Sequence, residues 1–133
     1  MKIFNSIYRR IQMHKFVRQF PFYLMRQFGV KRYYSSEEIK LTAEKWKFNV
    51  NYIDYGYAIA CHPDDYYFKA SEQIRKEISK TYDLPKDFTV LLVLRLSQYK
   101  DNWRTPTMAD NNEYWNYMSQ ADELDKNKDI SQA

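Results

Sequence analysis

Apolar residues recur with helical spacing from the first turn of the chain. In "MKIFNSIYRRIQ", Ile3, Phe4, Ile7, Tyr8 and Ile11 repeat at intervals of three and four, the signature of one helix face. The stripe then changes sides. Met13, Phe16, Val17 and Phe20 keep the same period, but at about 100° per residue they point nearly opposite to the first set. A straight helix with two such faces touches two neighbours, or it bends near Gln12. Pro21 restricts Phe20 and predicts the start of a second helix, "PFYLMRQF", which Gly29 is placed to end. Arginine without acid in an amphipathic opening also fits a membrane-surface helix or an organelle presequence. Because the apolar faces are split, packing against the body of the protein is the simpler account.

The strongest local signal follows in "YYSSEEIKLTAEKWKF". Ser35 fits an N-cap, and Glu38 three positions later completes a capping box. Tyr34 and Ile39 fall at the two positions of a hydrophobic staple. Ile39, Ala43 and Trp46 continue one apolar face, which predicts a helix over about residues 36–47. A further helix is expected in "PDDYYFKASEQIRKEISKTY", with Pro63 and two acids at its start and Tyr67, Ala70, Ile74 and Ile78 along one face.

Two segments resist assignment by period. In "NYIDYGYAIAC", alternation puts Ile53, Tyr55, Tyr57, Ile59 and Cys61 on one side of a strand, yet helical stripes fit equally well. The tyrosines favour strand, and the alanines with few turn residues favour helix. "DFTVLLVLRLSQ" shows the same tie, with Asp87 able to cap a helix or precede a strand. Two strands alone form a marginal sheet. The expected fold is therefore mostly α: a single compact domain of five to six helices over residues 1–124, followed by a disordered tail at 125–133. The alternative is α+β, with a small sheet built from residues 52–61 and 88–97.

The order "FPFYLMRQFG", "YYSSEEI", "NYIDYGYAIAC" and "DFTV" is similar to a small bacterial family of unknown function, over roughly residues 15–95. The shared pattern is a Leu-Pro-like helix pair, a Tyr-Ser/Thr-x-Glu helix start and a Tyr-Ile-x-Tyr-Ala-Tyr-Ala block. Gly56 stands where that block has alanine. The resemblance implies no activity and no catalytic residues.

Composition changes the picture in two respects. Aromatic residues make up 18 % of the 133 positions, thirteen of them tyrosines, while glycines number two. Tyrosine suits cores with wet edges and protein interfaces, and two glycines leave little material for phosphate-cradling loops. Charge, secondly, is segregated. Residues 1–34 hold eight basic side chains and no acid, which leaves 13 basic and 17 acidic groups in residues 35–133. Such asymmetry suits attraction to phosphate or to an anionic surface, or a basic segment packed near the acidic remainder. One cysteine forms no internal disulfide, so the cytoplasm is the expected compartment. No run approaches the roughly 18 apolar residues of a membrane span, and the opening lacks the apolar block of a secretory signal.

Candidate chemistry is sparse. Cys61 and His62 are adjacent, and adjacent side chains diverge on helix or strand, so they do not make a nucleophile and its base. Cys61, His62, Asp64 and Asp65 lack the paired spacing of a zinc site. Neither catalytic, cofactor-binding nor metal-binding residues are expected, and no small-molecule substrate is evident. Three classes remain. The first is a non-enzymatic protein-interaction or regulatory module, binding another protein or itself, with Trp103, Tyr114, Trp115 and Tyr117 as interface aromatics. The second is a nucleic-acid binder that holds phosphates with Arg9, Arg10, Lys15, Arg18, Arg26, Lys31 and Arg32. The third lays the same basic segment on an anionic membrane surface. Elimination places the first class ahead.

Overall fold

A computed structural model of the chain describes residues 2–97 and 111–126. Among them lie seven α-helices: α1 Lys2–Phe28, α2 Ser36–Lys45, α3 Asp54–Ala60, α4 Tyr66–Ala70, α5 Glu72–Tyr82, α6 Val90–Val93 and α7 Asn111–Lys126. Short 3-10 turns at Val50–Tyr52 and Leu94–Ser97 precede α3 and extend α6. The fold is all-helical among the described residues, and its centre is α1, which packs against α2, α3, α6, α7 and both 3-10 turns.

α1 does not break at Pro21, as the sequence pattern predicts; it runs helical for 27 residues, about 40 Å at 1.5 Å per residue. An internal proline removes a helix hydrogen bond and costs about 3 kcal/mol. Here six successive residues, 20–25, are all buried, so the helix is enclosed on every side and packing outweighs the missing bond. Gly29 ends the helix as expected, at φ +82°, with its N–H donating to Met25 O at 2.9 Å.

α2 starts on the anticipated capping box. Ser35 Oγ accepts from the Glu38 N–H at 3.0 Å, and Glu38 Oε1 accepts from the Ser35 N–H at 2.9 Å. Tyr34 and Ile39, the staple positions, are both buried.

The small sheet held as an alternative at residues 52–61 and 88–97 does not form. Both segments are helical, and among the described residues the one β-bridge is parallel and joins Tyr34 to Cys61, with the Tyr34 N–H donating to Ala60 O at 2.8 Å. Every residue from 55 to 60 is buried, which explains why neither period stood out: beyond Asp54, no face of α3 is exposed. Small side chains let it in. A Cβ on Gly56 would lie 3.0 Å from Phe20 Cε2 and 3.1 Å from Ile39 Cγ2, so α1, α2 and α3 converge at this glycine.

Three local expectations shift. The helix anticipated over 63–82 is divided at Ser71, whose buried hydroxyl donates to Phe68 O at 2.9 Å; serine competes for helix carbonyls in this way. Its proposed apolar face is only partly used, since Ile78 is buried but Tyr67 and Ala70 are exposed. Thr89, not Asp87, stands at the start of α6. Asp125 and Lys126 belong to α7; residues 127–133 lie outside the described residues.

Candidate functional site

The two stripes of α1 meet different fates. From Met13 onward the second stripe is the core: Met13, Phe16, Val17 and Phe20 are each at most 1 % exposed. The described side chains of the first stripe, Ile7, Tyr8 and Ile11, are left exposed. Residues 6–11 are all exposed, with Ile7 at 53 %, Tyr8 at 45 % and Ile11 at 54 %. Only the edge of this face is tied down: Tyr8 packs edge-on against Tyr52 at 5.7 Å, and its hydroxyl accepts from Asn49 Nδ2 at 3.3 Å.

The seven basic candidates separate by side. Arg9 pairs with Glu77 at 2.7 Å, Lys31 with Glu38 at 2.7 Å, and Arg26 with Glu113 through two bonds of 2.9 and 2.6 Å. Arg32 donates to the Leu124 carbonyl at 2.6 Å. Arg10, Lys15 and Arg18 form no ion pair among the described residues. Lys15 Nζ lies 5.3 Å from the Phe48 ring centre, and the buried Nε of Arg18 has no hydrogen-bond partner there. At about 100° per residue these three lie within a quarter-turn of the Ile7–Ile11 stripe, whereas Arg9 lies behind it. His14 belongs to the same side. Its Nδ1 meets the Tyr82 hydroxyl, and its pKa is lowered first by burial, then by the charges of Arg18 and Arg10. Three cations with no ion pair among the described residues thus border exposed isoleucine.

A family model described as a family of unknown function, DUF6559, matches residues 4–122. The chain belongs to this family. The DUF6559 match is wider than the motif-bearing stretch of the sequence and takes in the exposed stripe and most of α7. No curated protein and no solved structure matches the chain.

Three of the four interface aromatics expected in this DUF6559 protein are described, and they differ in exposure. Tyr114 is 7 % exposed and its hydroxyl donates to Leu94 O at 3.3 Å. Tyr117 donates to Glu113 Oε2 at 2.6 Å and rests its ring on Phe22 at 5.5 Å. Trp115 is exposed at 52 %, and Trp103 lies outside the described residues. Tyr114 and Tyr117 therefore help to dock α7 on the body of the protein. The clamp is Arg26, whose guanidinium also lies 4.9 Å from the Phe22 ring centre and whose hydrogen bond holds the Glu113 carboxyl below its ordinary value of 4.5. A depressed carboxyl contributes stability that is present above its unfolded value and lost as pH falls through the folded one. Glu113→Gln is expected to lower stability by about 1–2 kcal/mol at neutral pH, and to remove part of the acid-side slope of a denaturation series below about pH 4.5. An unchanged slope would show that the clamp does not hold α7.

Cys61 caps α3 at 1 % exposure. Burial, followed by the charge of Asp65, pushes its thiol up to about 11. His62 faces outward instead, accepting from the Asp64 N–H at 3.0 Å and touching the Tyr33 ring at 4.9 Å. The pair makes no dyad. Native protein at pH 7–8 is expected to resist iodoacetamide at Cys61 and to react once unfolded; rapid labelling of the native state, read by mass spectrometry, would contradict the packing. Among the described residues no three His, Cys, Asp or Glu side chains come together as a metal site.

Arg75 carries no mark in the sequence, because its partners are backbone carbonyls 11, 13 and 17 positions away. Its Nη1 donates to Ala58 O at 2.9 Å, and its Nη2 donates to Lys86 O and Phe88 O at 2.8 and 2.7 Å. The guanidinium lies 3.8 Å from the centre of the Phe88 ring. One cation thus ties α5 to α3 and to the 86–88 stretch.

Proposed function

We propose that this protein is a non-enzymatic module that attaches peripherally to an anionic membrane surface through the amino-terminal half of α1. The supporting observation is the juxtaposition of exposed Ile7, Tyr8 and Ile11 with Arg10, Lys15 and Arg18, none of which meets an acid among the described residues. A helix of this kind sinks its apolar face about 5–10 Å into the headgroup boundary while its cations meet lipid phosphate. Each Lys or Arg near an anionic leaflet is worth about 1 kcal/mol. Attachment of this kind needs no spanning segment, and no helix among the described residues is long and apolar enough to cross a membrane.

The isoleucines separate this reading from nucleic-acid binding. A phosphate backbone would engage the same cations but leave Ile7 and Ile11 in water, a contact that adds nothing to affinity. A protein partner, including a second copy, would have to bring carboxylates to cations for which α1 itself supplies none. Co-sedimentation with vesicles decides among them. Binding is expected to phosphatidylcholine vesicles containing phosphatidylglycerol, to weaken as salt is raised, and to be slight on phosphatidylcholine alone. Equal binding to both vesicles, or none to either at low salt, removes the proposal. Steeply salt-dependent capture of duplex DNA without vesicle binding replaces it with the second class.

A further inference from the structure

A groove of about 940 Å³ opens between α4, α5 and the segment leading into α6. Its volume falls within the range of small-molecule sites, about 300–1,000 Å³. Ile59, Phe88 and the sulfur-bearing Cys61 lie at its buried base, and half-buried Pro63 and Phe68 form a wall. The surface at the bottom of the groove is therefore aliphatic and aromatic.

The rim is cationic. Lys69, Lys76, Lys80 and Lys86 line it and are all exposed, with Glu72 and Asp87 as the acids among the lining residues. Counting Arg75, five cations face two acids, an excess of three positive charges. Lys76 already occupies Glu72 at 3.9 Å. Arg75 is the more telling group. Its carbonyl partners neutralise no charge, and no carboxylate lies within ion-pair distance of it among the described residues; Asp87 supports it only at longer range. A guanidinium has five N–H donors, and three bonds to carbonyls account for part of that capacity. Rings on two sides, Phe88 at 3.8 Å and Phe68 at 4.9 Å, hold its plane at the groove wall. Folding has thus placed an uncompensated, partly desolvated cation beside an apolar base, a combination that costs stability unless an anion arrives.

We propose that this groove binds a single-chain amphiphilic anion, an aliphatic carboxylate or alkyl phosphate, with its head among Arg75, Lys69, Lys80 and Lys86 and its chain over Phe68, Phe88 and Ile59. Both parts of the ligand are needed: the apolar base gives a bare anion nothing, and the lysine rim gives a neutral chain nothing. The site is independent of the exposed face of α1.

Isothermal titration of the full chain with dodecyl phosphate, kept below its micelle-forming concentration, tests this. One molecule is expected to bind per chain, with dodecanol and inorganic phosphate each at least about tenfold weaker. Combined Lys69→Gln, Lys80→Gln and Lys86→Gln substitution changes only exposed side chains and is expected to weaken dodecyl phosphate about tenfold or more with unchanged thermal melting. Ile7→Ser with Ile11→Ser is expected to leave this binding intact, whether or not it abolishes vesicle attachment. No binding, binding unaffected by the lysine substitutions, or inorganic phosphate as tight as dodecyl phosphate would each overturn the proposal. Loss of binding in the Ile7→Ser, Ile11→Ser variant would overturn it as well, by moving the amphiphile onto α1.

Discussion

Phe20→Ala is expected to lower folding stability by about 3–5 kcal/mol, the range for deleting a large buried ring. Phe20 is fully buried, with ring centres of Phe16 at 5.2 Å and Phe48 at 5.0 Å. It also sits where α1, α2 and α3 converge, 3.0 Å from the point a Gly56 Cβ would occupy. Total stabilities of about 5–15 kcal/mol leave little margin after such a loss, so the denaturant midpoint should fall steeply. A loss under about 1 kcal/mol would mean that the ring is not packed between these elements. Gly56→Ala tests the same junction from the other side. Alanine gains about 1 kcal/mol in helix propensity, but overpacking costs about 1–3 kcal/mol, and Phe20 is held between two rings and has nowhere to yield. A net loss is expected, and it should shrink when Phe20 is first shortened to leucine. That coupling would appear in a double-mutant cycle.

Ile7→Ser combined with Ile11→Ser is expected to weaken attachment to anionic vesicles by about 100-fold. Burying one aliphatic side chain is worth about 1.5–3 kcal/mol. Interfacial insertion is partial, so the low end applies, and two residues give about 3 kcal/mol, close to two decades. Folding stability should stay within about 0.5 kcal/mol of the parent, because both side chains are already half exposed. Affinity and stability must therefore move separately. Retained vesicle binding would end the docking proposal. A large drop in melting temperature would show that the stripe is covered by the protein itself.

Local features were readable from the chain because their causes are local. The Ser35–Glu38 box, the ending at Gly29 and the staple pair Tyr34 and Ile39 each depend on residues within five positions. Periodicity failed where every face is buried: at residues 55–60, and again across Pro21, where enclosure by neighbours overrides a residue that ends isolated helices. Gly56, a departure from alanine when read as sequence, is the contact point of three helices in the fold. The split stripe was also visible, but its meaning was not. A basic opening packed into the body was expected; the second stripe is packed so, while Ile7, Tyr8 and Ile11 of the first are exposed.

What the sequence by itself determined is where helices start and stop at strong caps, the two apolar stripes of α1 and the segregation of charge. Tertiary structure alone decided which stripe is covered and which cations are neutralised. Arg9 finds its acid 68 positions away and Arg26 finds its own 87 positions away, distances at which sequence pattern holds no signal. Arg10, Lys15 and Arg18 form no ion pair among the described residues. Pairing and burial are settled by where distant elements come to rest, and a chain read in order records only what each residue offers them.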